Sequence, residues 1–221
     1  MKPKAVVLLS GGLDSATALF IAKKKYTTYC LIFDYGQRHK KEIESAQKIA
    51  SITGCKYQIV KIAFPWKGSS LIDKTKKIPY NKIIGDSIPS TYVPGRNTIF
   101  LSYALSYAET IGAIKIFIGA NAVDFSGYPD CRPQYYKSFN RILYNGTKTK
   151  GETKGGTKIK IETPLLYKTK KEIVELGFKY KVPFELTWSC YSGKKYPCGK
   201  CDACILRANG FAKANRKDPI L

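Results

Sequence analysis

The sequence predicts an α/β fold, a Rossmann-like parallel sheet with helices packed on both faces. Short apolar runs alternate along the chain with segments in which apolar residues recur at helical spacing, as in successive βαβ units. The 221 residues are 44% hydrophobic, which is enough for the core of one domain and argues against a disordered basic chain. A glycine loop after the first strand and a late cysteine cluster indicate where ligands bind.

Three strands and two helices are predicted in the first part of the chain. Residues 5–9 form a short apolar run that is typical of a buried parallel strand. Apolar residues recur at helical spacing within 40–53, and Gly54 ends that pattern. The predicted order is a strand at 5–9, a helix at 15–24, a strand at 28–34, a helix at 40–53 and a strand at 57–63.

The alternation continues after a long irregular insertion at 64–97, a kind of segment that is usually functional or mobile. The next predicted elements are a helix at 98–110, a strand at 115–119, a helix at 132–143 and a strand at 159–163. Residues 146–158 are rich in Gly, Thr and Lys and are predicted to be a flexible excursion. Thr169 and Glu172 have the spacing of a capping box, so another helix begins there.

The formal net charge of +22 would suit a nucleic-acid-binding protein. However, the basic residues are 32 Lys and 6 Arg, and Arg is the better bidentate partner of phosphates and bases. The Lys residues are spread over the whole chain, so we interpret most of them as solvated surface and do not expect direct nucleic-acid binding. No apolar run approaches the roughly 20 residues of a membrane span, and no signal peptide is evident, so we expect no membrane association and a cytoplasmic location.

The first predicted strand runs into the sequence Ser-Gly-Gly-Leu-Asp-Ser at 10–15. Two glycines allow the backbone to approach a ligand closely, and its amides then converge at the positive end of a helix, which is a ready anion site. Asp14 would repel a phosphate unless Mg²⁺ lies between them. The alternative is a tight strand–helix turn in which Asp14 faces the helix dipole.

Four of the seven cysteines form a cluster, Cys190-x7-Cys198-x2-Cys201-x2-Cys204. Four thiolates at about 2.3 Å complete a closed tetrahedral zinc site, which would be structural because no position is left for water. An iron–sulfur cluster and buried free thiols remain alternatives. His39 is the only histidine, which excludes a zinc site with two His ligands. We assign residues 187–221 to this zinc-binding element and residues 1–186 to the α/β domain.

Residues 10–15 resemble the PP-loop of the ATP pyrophosphatases, which cleave ATP to AMP and pyrophosphate. Further segments follow in a characteristic order at 33–39, 92–97, 124–132 and 163–165, and the cysteine cluster ends the series. Together they resemble the 7-cyano-7-deazaguanine synthase family of queuosine precursor biosynthesis, over roughly residues 6–211. The stretch at 124–132, Asp-Phe-Ser-Gly-Tyr-Pro-Asp-Cys-Arg, is the most specific part of the resemblance.

The resemblance implies a PP-loop α/β domain and an ATP-dependent carbon–nitrogen ligase. The enzyme would convert 7-carboxy-7-deazaguanine and ammonia to 7-cyano-7-deazaguanine through adenylated acid and amide intermediates, with release of AMP and pyrophosphate. It would hold one structural Zn²⁺ per chain, use Mg²⁺ with ATP and form a homodimer.

The resemblance also implies roles for individual residues. The ATP-binding set is Leu8, Leu9, Ser10, Gly11, Gly12, Leu13, Asp14, Ser15, Ala16, Thr17, Ala18, Phe33 and Tyr35. The catalytic set is Asp14, Ser15, Arg96 and Asp124, and the substrate-binding set is Ser126, Tyr128, Asp130 and Arg132. The metal ligands are Cys190, Cys198, Cys201 and Cys204. Lys170 would lie near the strand ends, where it could reach a phosphate. Cys131 is a candidate nucleophile, although direct adenylation needs none.

Two other functions remain as alternatives. A PP-loop enzyme that modifies tRNA directly would use the Lys residues for phosphate contacts, but the sequence shows no appended RNA-binding domain. A zinc-knuckle binding module without catalysis would leave the glycine loop at 10–15 unexplained.

Overall fold

The computed structural model describes residues 1–38, 40–80, 88–122, 127–147, 159–192 and 195–221. The first strands and helices are β1 (Lys4–Leu8), α1 (Leu13–Lys23), β2 (Thr27–Asp34), α2 (Lys41–Ile52) and β3 (Lys56–Lys61). After the insertion come α3 (Arg96–Ile111), β4 (Lys115–Phe117), α4 (Pro133–Gly146), β5 (Lys160–Glu162), α5 (Lys170–Lys179) and α6 (Asp202–Lys213). Short 3₁₀ turns at Pro129–Cys131 and Phe184–Leu186 precede α4 and the cysteine cluster.

The five strands form one sheet in the order β3-β2-β1-β4-β5, and every neighbouring pair is parallel. The α/β prediction is therefore confirmed. The order reverses at β1, which pairs with β2 on one side and β4 on the other. Ligands of open parallel sheets bind at the carboxyl ends of the strands beside such a reversal. The glycine loop leaves β1 at this position.

Hydrophobic cores cover both faces of the sheet. Consecutive β1 residues alternate between them, because successive side chains of a strand point to opposite faces: Val7 lies in the first core and Val6 in the second. The first core contains Leu19, Ile49, Ile173 and Phe211 from α1, α2, α5 and α6. The second contains Leu101 from α3 and Leu143 from α4. Burial on both faces explains why β1 is a continuous apolar run.

The capping box at the start of α5 is present as the sequence predicts. The Thr169 side chain accepts a hydrogen bond from the Glu172 amide, and the Glu172 carboxylate accepts one from the Thr169 amide at 2.8 Å. The hydrogen bond from the Thr169 amide, together with those from the Lys168 ammonium and the Thr169 hydroxyl, holds the pKa of Glu172 well below its usual range, at about 2. The cap fixes where α5 begins, and so where Lys170, its first residue, points.

The C-terminal helix α6 is a finding that the sequence patterns do not predict. It begins immediately after Cys201 and packs against α5, with Phe211 in the first core. Arg207 connects it to the rest of the chain through a buried ion pair with Asp218 at 2.7 Å and a hydrogen bond to the Thr187 hydroxyl at 2.6 Å. Among the described helices, none combines the length and apolar character needed to cross a membrane. The division at residue 187 stays a prediction.

Candidate active site and metal centre

A cavity of about 260 Å³ opens at the carboxyl ends of β1, β2 and β4. Its lining comes from elements that are far apart in sequence: the glycine loop, the starts of α2, α3 and α5, and the segment that leads into the cysteine cluster. Representative lining residues are Ser10, Glu42, Arg96, Cys131, Lys170 and Tyr191. The cavity therefore lies where the sheet topology places a ligand site.

The glycine loop is shaped by one residue with a left-handed backbone. Gly11 has φ +82°, and a side chain there would overlap the carbonyl oxygen of Glu42 and approach the Ala46 amide to 2.8 Å. Both the backbone angle and the close packing against α2 require glycine. The Gly11 position therefore sets how closely the loop approaches α2.

Ser15 holds the loop closed from inside. Its hydroxyl accepts from the Ser10 amide at 3.2 Å and from the Ser10 hydroxyl at 3.0 Å, and donates to the Gly12 carbonyl at 3.1 Å. Gly12 is the N-cap of α1 and has no side chain to cap the helix. The first amides of α1 thus face the cavity as an anion site.

Asp14, in the first turn of α1, is paired with Lys170 at the start of α5. The Lys170 ammonium donates to both carboxylate oxygens, at 2.9 and 2.8 Å. The Lys170 and Asp14 side chains are 10% and 21% exposed, so the pair lies in the wall of the cavity with limited access to water. The stem of Lys170 packs against Gly210 of α6, where a Cβ would contact Lys170 Cβ at 3.0 Å. The charge that Asp14 brings to an anion site is therefore offset within the protein.

The structure separates the implied ATP-binding residues into two groups. Seven lie in the cavity wall beside or within the loop, and two aromatic residues join them from the end of β2: Leu8, Leu9, Ser10, Gly12, Leu13, Asp14, Ser15, Phe33 and Tyr35. The Phe33 ring stacks on Phe100, with ring centroids 3.9 Å apart. Gly11 and the α1 residues Ala16, Thr17 and Ala18 do not line the cavity, and the three α1 residues are fully buried.

The implied substrate residues are also divided by the structure. Tyr128 lines the cavity, and its hydroxyl is hydrogen-bonded to the Thr91 hydroxyl at 2.6 Å. Asp130 is buried outside the lining, where its carboxylate accepts from the Asn97 amide in the first turn of α3 at 3.3 Å. Arg132 is exposed. Asp124 and Ser126 lie outside the described residues, as does His39.

Arg96 is the first residue of α3 and lies in the middle of this wall. Its guanidinium is within 3.5 Å of the Tyr35 hydroxyl. Burial raises the pKa of the nearby Cys131 thiol to about 12, and the Asp130 carboxylate adds to that effect while Arg96 opposes it. Cys131 is therefore a neutral thiol in the cavity at physiological pH, which disfavours a nucleophilic role.

Glu42, Trp188 and Tyr191 line the cavity although the sequence patterns do not identify them. Burial raises the pKa of Glu42 to about 8, Arg96 opposes the shift, and Cys190 adds to it. The available signal for Glu42 was its place in the first turn of the helix that follows the 33–39 segment. Trp188 and Tyr191 lie close to Cys190 in the sequence, within a segment whose pattern indicates metal binding and gives no sign of a cavity wall.

The four clustered cysteines have the geometry of a metal site. The sulfurs of Cys190, Cys198, Cys201 and Cys204 all lie within 4.8 Å of one another. The amides of Ser192 and Cys198 each donate to the Cys190 sulfur at 3.3 Å, and the Cys201 amide donates to the Cys198 sulfur at 3.4 Å. Such hydrogen bonds stabilise thiolates, the form that binds metal. The donor set fits a closed four-sulfur site.

The cysteine cluster is joined directly to the glycine loop. The Trp188 amide donates to the Gly11 carbonyl at 2.9 Å, and the Trp188 indole donates to the Cys190 carbonyl at 3.0 Å. On its other side, Cys201 forms an isolated antiparallel bridge with Tyr80 of the long insertion. The segment that contains Trp188 and Tyr191 therefore borders both the cysteine cluster and the cavity.

The comparisons with known proteins cover this whole arrangement. Residues 4–215 match the family model described as queuosine biosynthesis protein QueC. The chain is 53% identical over 220 residues to the 7-cyano-7-deazaguanine synthase of Picrophilus torridus, which covers 98% of this chain and 90% of that protein. It is 51% identical over 220 residues to the 7-cyano-7-deazaguanine synthase of Clostridium kluyveri, with 98% and 96% covered. The similarity spans the loop, the cavity and the cysteine cluster.

Proposed function

Because the chain belongs to the QueC family of queuosine biosynthesis proteins, we propose that it makes 7-cyano-7-deazaguanine from 7-carboxy-7-deazaguanine, ammonia and ATP. The activity is that of a carbon–nitrogen ligase. One observation supports this function above others: the glycine loop presents helix N-terminal amides to a cavity that also contains the Asp14–Lys170 pair. This arrangement suits a substrate that carries a polyphosphate.

The first step is adenylation of the substrate acid. A carboxylate oxygen attacks the α-phosphorus of ATP, the bond to the bridging oxygen breaks, and pyrophosphate leaves with its electron pair. The amides at the start of α1 face the charge that develops on pyrophosphate, and Lys170 lies beside them. Ser15 keeps the loop in the conformation that aims these amides. Much of the rate comes from holding two reactants in one cavity.

The second half of the reaction replaces oxygen by nitrogen. Ammonia attacks the carbonyl carbon of the acyl adenylate, AMP leaves, and loss of a proton gives the amide. The amide oxygen then attacks the α-phosphorus of a second ATP, and a second pyrophosphate leaves. The carbon–oxygen bond breaks as AMP departs, and both protons of the amide nitrogen are lost, which leaves the nitrile. Each oxygen of the acid thus departs on an AMP, which accounts for two ATP per product. We assign Cys131 no nucleophilic role, because burial raises the pKa of its thiol to about 12 and direct adenylation needs no protein nucleophile.

We propose that the four-cysteine site holds one structural Zn²⁺ per chain and that Mg²⁺ accompanies ATP. The four-sulfur set matches zinc without an open position. Asp14 is the carboxylate suited to meet Mg²⁺, because a carboxylate has more acceptor sites than Lys170 occupies. Mg²⁺ would supply charge neutralisation for the phosphates. Family membership supports a homodimer in the cytoplasm, without direct nucleic-acid binding.

The test is an assay of AMP formation by the purified, metal-loaded protein. We expect AMP and pyrophosphate only when 7-carboxy-7-deazaguanine is present, and the nitrile by mass spectrometry when ammonium is added. AMP that forms only with tRNA, or no AMP at all, would contradict the proposal.

Replacing Cys131 with alanine should leave turnover within about threefold of the original protein, because a thiol with a pKa near 12 contributes no thiolate at pH 8. The same protonation predicts that Cys131 resists iodoacetamide at pH 8, measured by peptide mass spectrometry. Complete loss of nitrile formation in a folded Cys131→Ala variant would restore the nucleophile hypothesis.

A further inference from the structure

An acidic and a basic side chain in the cavity wall have no role in the reaction steps above. Glu42 lies in the first turn of α2, Arg96 is the first residue of α3, and both side chains line the cavity. Within the described part of the chain, the Glu42 carboxylate has no hydrogen bond and no ion pair shorter than 4.0 Å. Glu42 and Arg96 influence each other electrostatically without direct pairing. The Glu42 carboxylate and the Arg96 donors that Tyr35 does not accept therefore remain available to a ligand between them.

The surroundings of this couple favour a flat, partly apolar ligand. Tyr35, Tyr128 and Tyr191 line the same wall, and Tyr35 lies against the Phe64 and Phe100 rings. Aromatic side chains of this kind pack against the faces of heterocyclic bases. The charged couple would then meet the edge of the ring while the tyrosines meet its faces.

A guanidinium beside a carboxyl group matches the hydrogen-bonding edge of one kind of base. A guanine-type ring presents a carbonyl acceptor, O6, next to two donors, the N1 hydrogen and the 2-amino group. A guanidinium donates to the carbonyl, and a carboxylate accepts from both donors at once. We propose that Arg96 and Glu42 form the subsite that recognises the guanine-type edge of the deazapurine substrate. This inference rests on the proposed function and identifies the residues that select its substrate.

Asp130 and Arg132, which the sequence suggests for base recognition, are less well placed. The Asp130 carboxylate already accepts the Asn97 amide at the start of α3, and Arg132 is exposed. Of the residues implied for substrate binding, Tyr128 lines the cavity, and Arg96 of the implied catalytic set lines it as well. Glu42 supplies the carboxylate that guanine recognition requires.

The test measures how strongly the protein distinguishes a base with a 2-amino group from one without it. The metal-loaded full chain is titrated calorimetrically at pH 9, where Glu42, with a pKa of about 8, is ionised. The ligands are 7-carboxy-7-deazaguanine and 7-carboxy-7-deazahypoxanthine, which lacks only the 2-amino group. The original protein should bind the guanine-type acid roughly 10- to 100-fold more tightly, because the other acid leaves the Glu42 carboxylate partly unpaired against the ligand. In Glu42→Gln the preference should fall below about threefold. Glu44→Gln is the matched control, since Glu44 lies exposed on the same helix.

The difference between the two bases separates recognition from a structural role. A structural role would weaken both acids by the same factor in Glu42→Gln and leave the preference intact, which would overturn the inference. If Glu42 instead binds ammonium, Glu42→Gln should raise the KM for ammonium and leave the affinity for both acids unchanged. That result would also overturn the inference. If the original protein binds neither acid, the proposed function itself fails, so the two failures are distinguishable. Thermal unfolding confirms that each variant is folded.

Discussion

Replacing Lys170 with methionine is expected to lower kcat/KM for AMP formation by roughly 100- to 1,000-fold, the usual effect of removing one positioned charge from a site of developing negative charge. Lys170 donates to both oxygens of Asp14 in the wall of the cavity. Without it, the Asp14 carboxylate faces the polyphosphate of ATP unneutralised, and the two anions repel. Removing one partner of a largely buried ion pair also lowers the free energy of unfolding, by about 3 kcal/mol. Steady-state AMP release and chemical denaturation measure the two effects.

Two further variants show how Lys170 acts. Lys171→Met is the matched control, because Lys171 is the next residue of α5, is about half exposed and pairs only weakly with Glu175 at 3.7 Å; its activity should stay within about twofold. In the double variant Asp14→Asn with Lys170→Met, ATP affinity should recover if Lys170 serves only to neutralise Asp14. Failure to recover would assign Lys170 a direct contact with phosphate. Full activity of Lys170→Met alone would contradict both roles.

Removal of the metal is expected to cause the second large effect. A strong chelator should lower the unfolding midpoint by on the order of 10–20 °C, because metal binding to a four-thiolate site contributes several kcal/mol of folding free energy. The loss should extend to ligand binding, since Trp188 connects Cys190 to the Gly11 carbonyl. Differential scanning calorimetry, metal analysis and ATP-analogue titration measure stability, occupancy and affinity on the same sample.

Single cysteine variants make the assignment specific. Cys204→Ser should contain less than one metal ion per chain and show the same fall in midpoint. Cys55→Ser is the control, because Cys55 is buried beside Thr28, away from the cluster. This variant should keep its metal. One zinc per chain is expected in the original protein. If the protein instead contains iron and has a visible absorption band, the site is an iron–sulfur cluster and the zinc assignment is wrong. An unchanged midpoint after complete removal would show that the site does not support the fold.

The sequence predicts the sheet and the loop because both depend on local patterns. A strand buried on both faces must be apolar throughout, and a loop with positive φ needs glycine, so β1 and Gly11 are evident in the sequence. The capping box at Thr169 is equally local. By contrast, α6 starts within the cysteine cluster, and its buried face includes small residues such as Ala203 and Gly210, so apolar periodicity gives little signal.

The rest of the site depends on contacts between distant segments. Lys170 and Asp14 are 156 residues apart, and neither neighbourhood indicates that the other residue is near. Glu42 resembles an ordinary acidic residue in the first turn of a helix, a position that the helix dipole favours anyway. The close packing of Gly11 against α2 places the start of that helix, with Glu42, beside the loop and the cavity. Such residues are identified when the tertiary structure is known.

The hydrogen bond from Trp188 to Gly11 has a consequence for synthesis of the protein in the cell. The ribosome makes the glycine loop early, but later-made residues, among them Trp188, Tyr191 and Arg207, complete the lining of the cavity. A nascent chain that already exposes the loop therefore lacks the wall needed to enclose ATP and an acid together. Adenylation therefore begins only after the cysteine-rich segment has emerged and folded. The same order prevents hydrolysis of ATP in an open site.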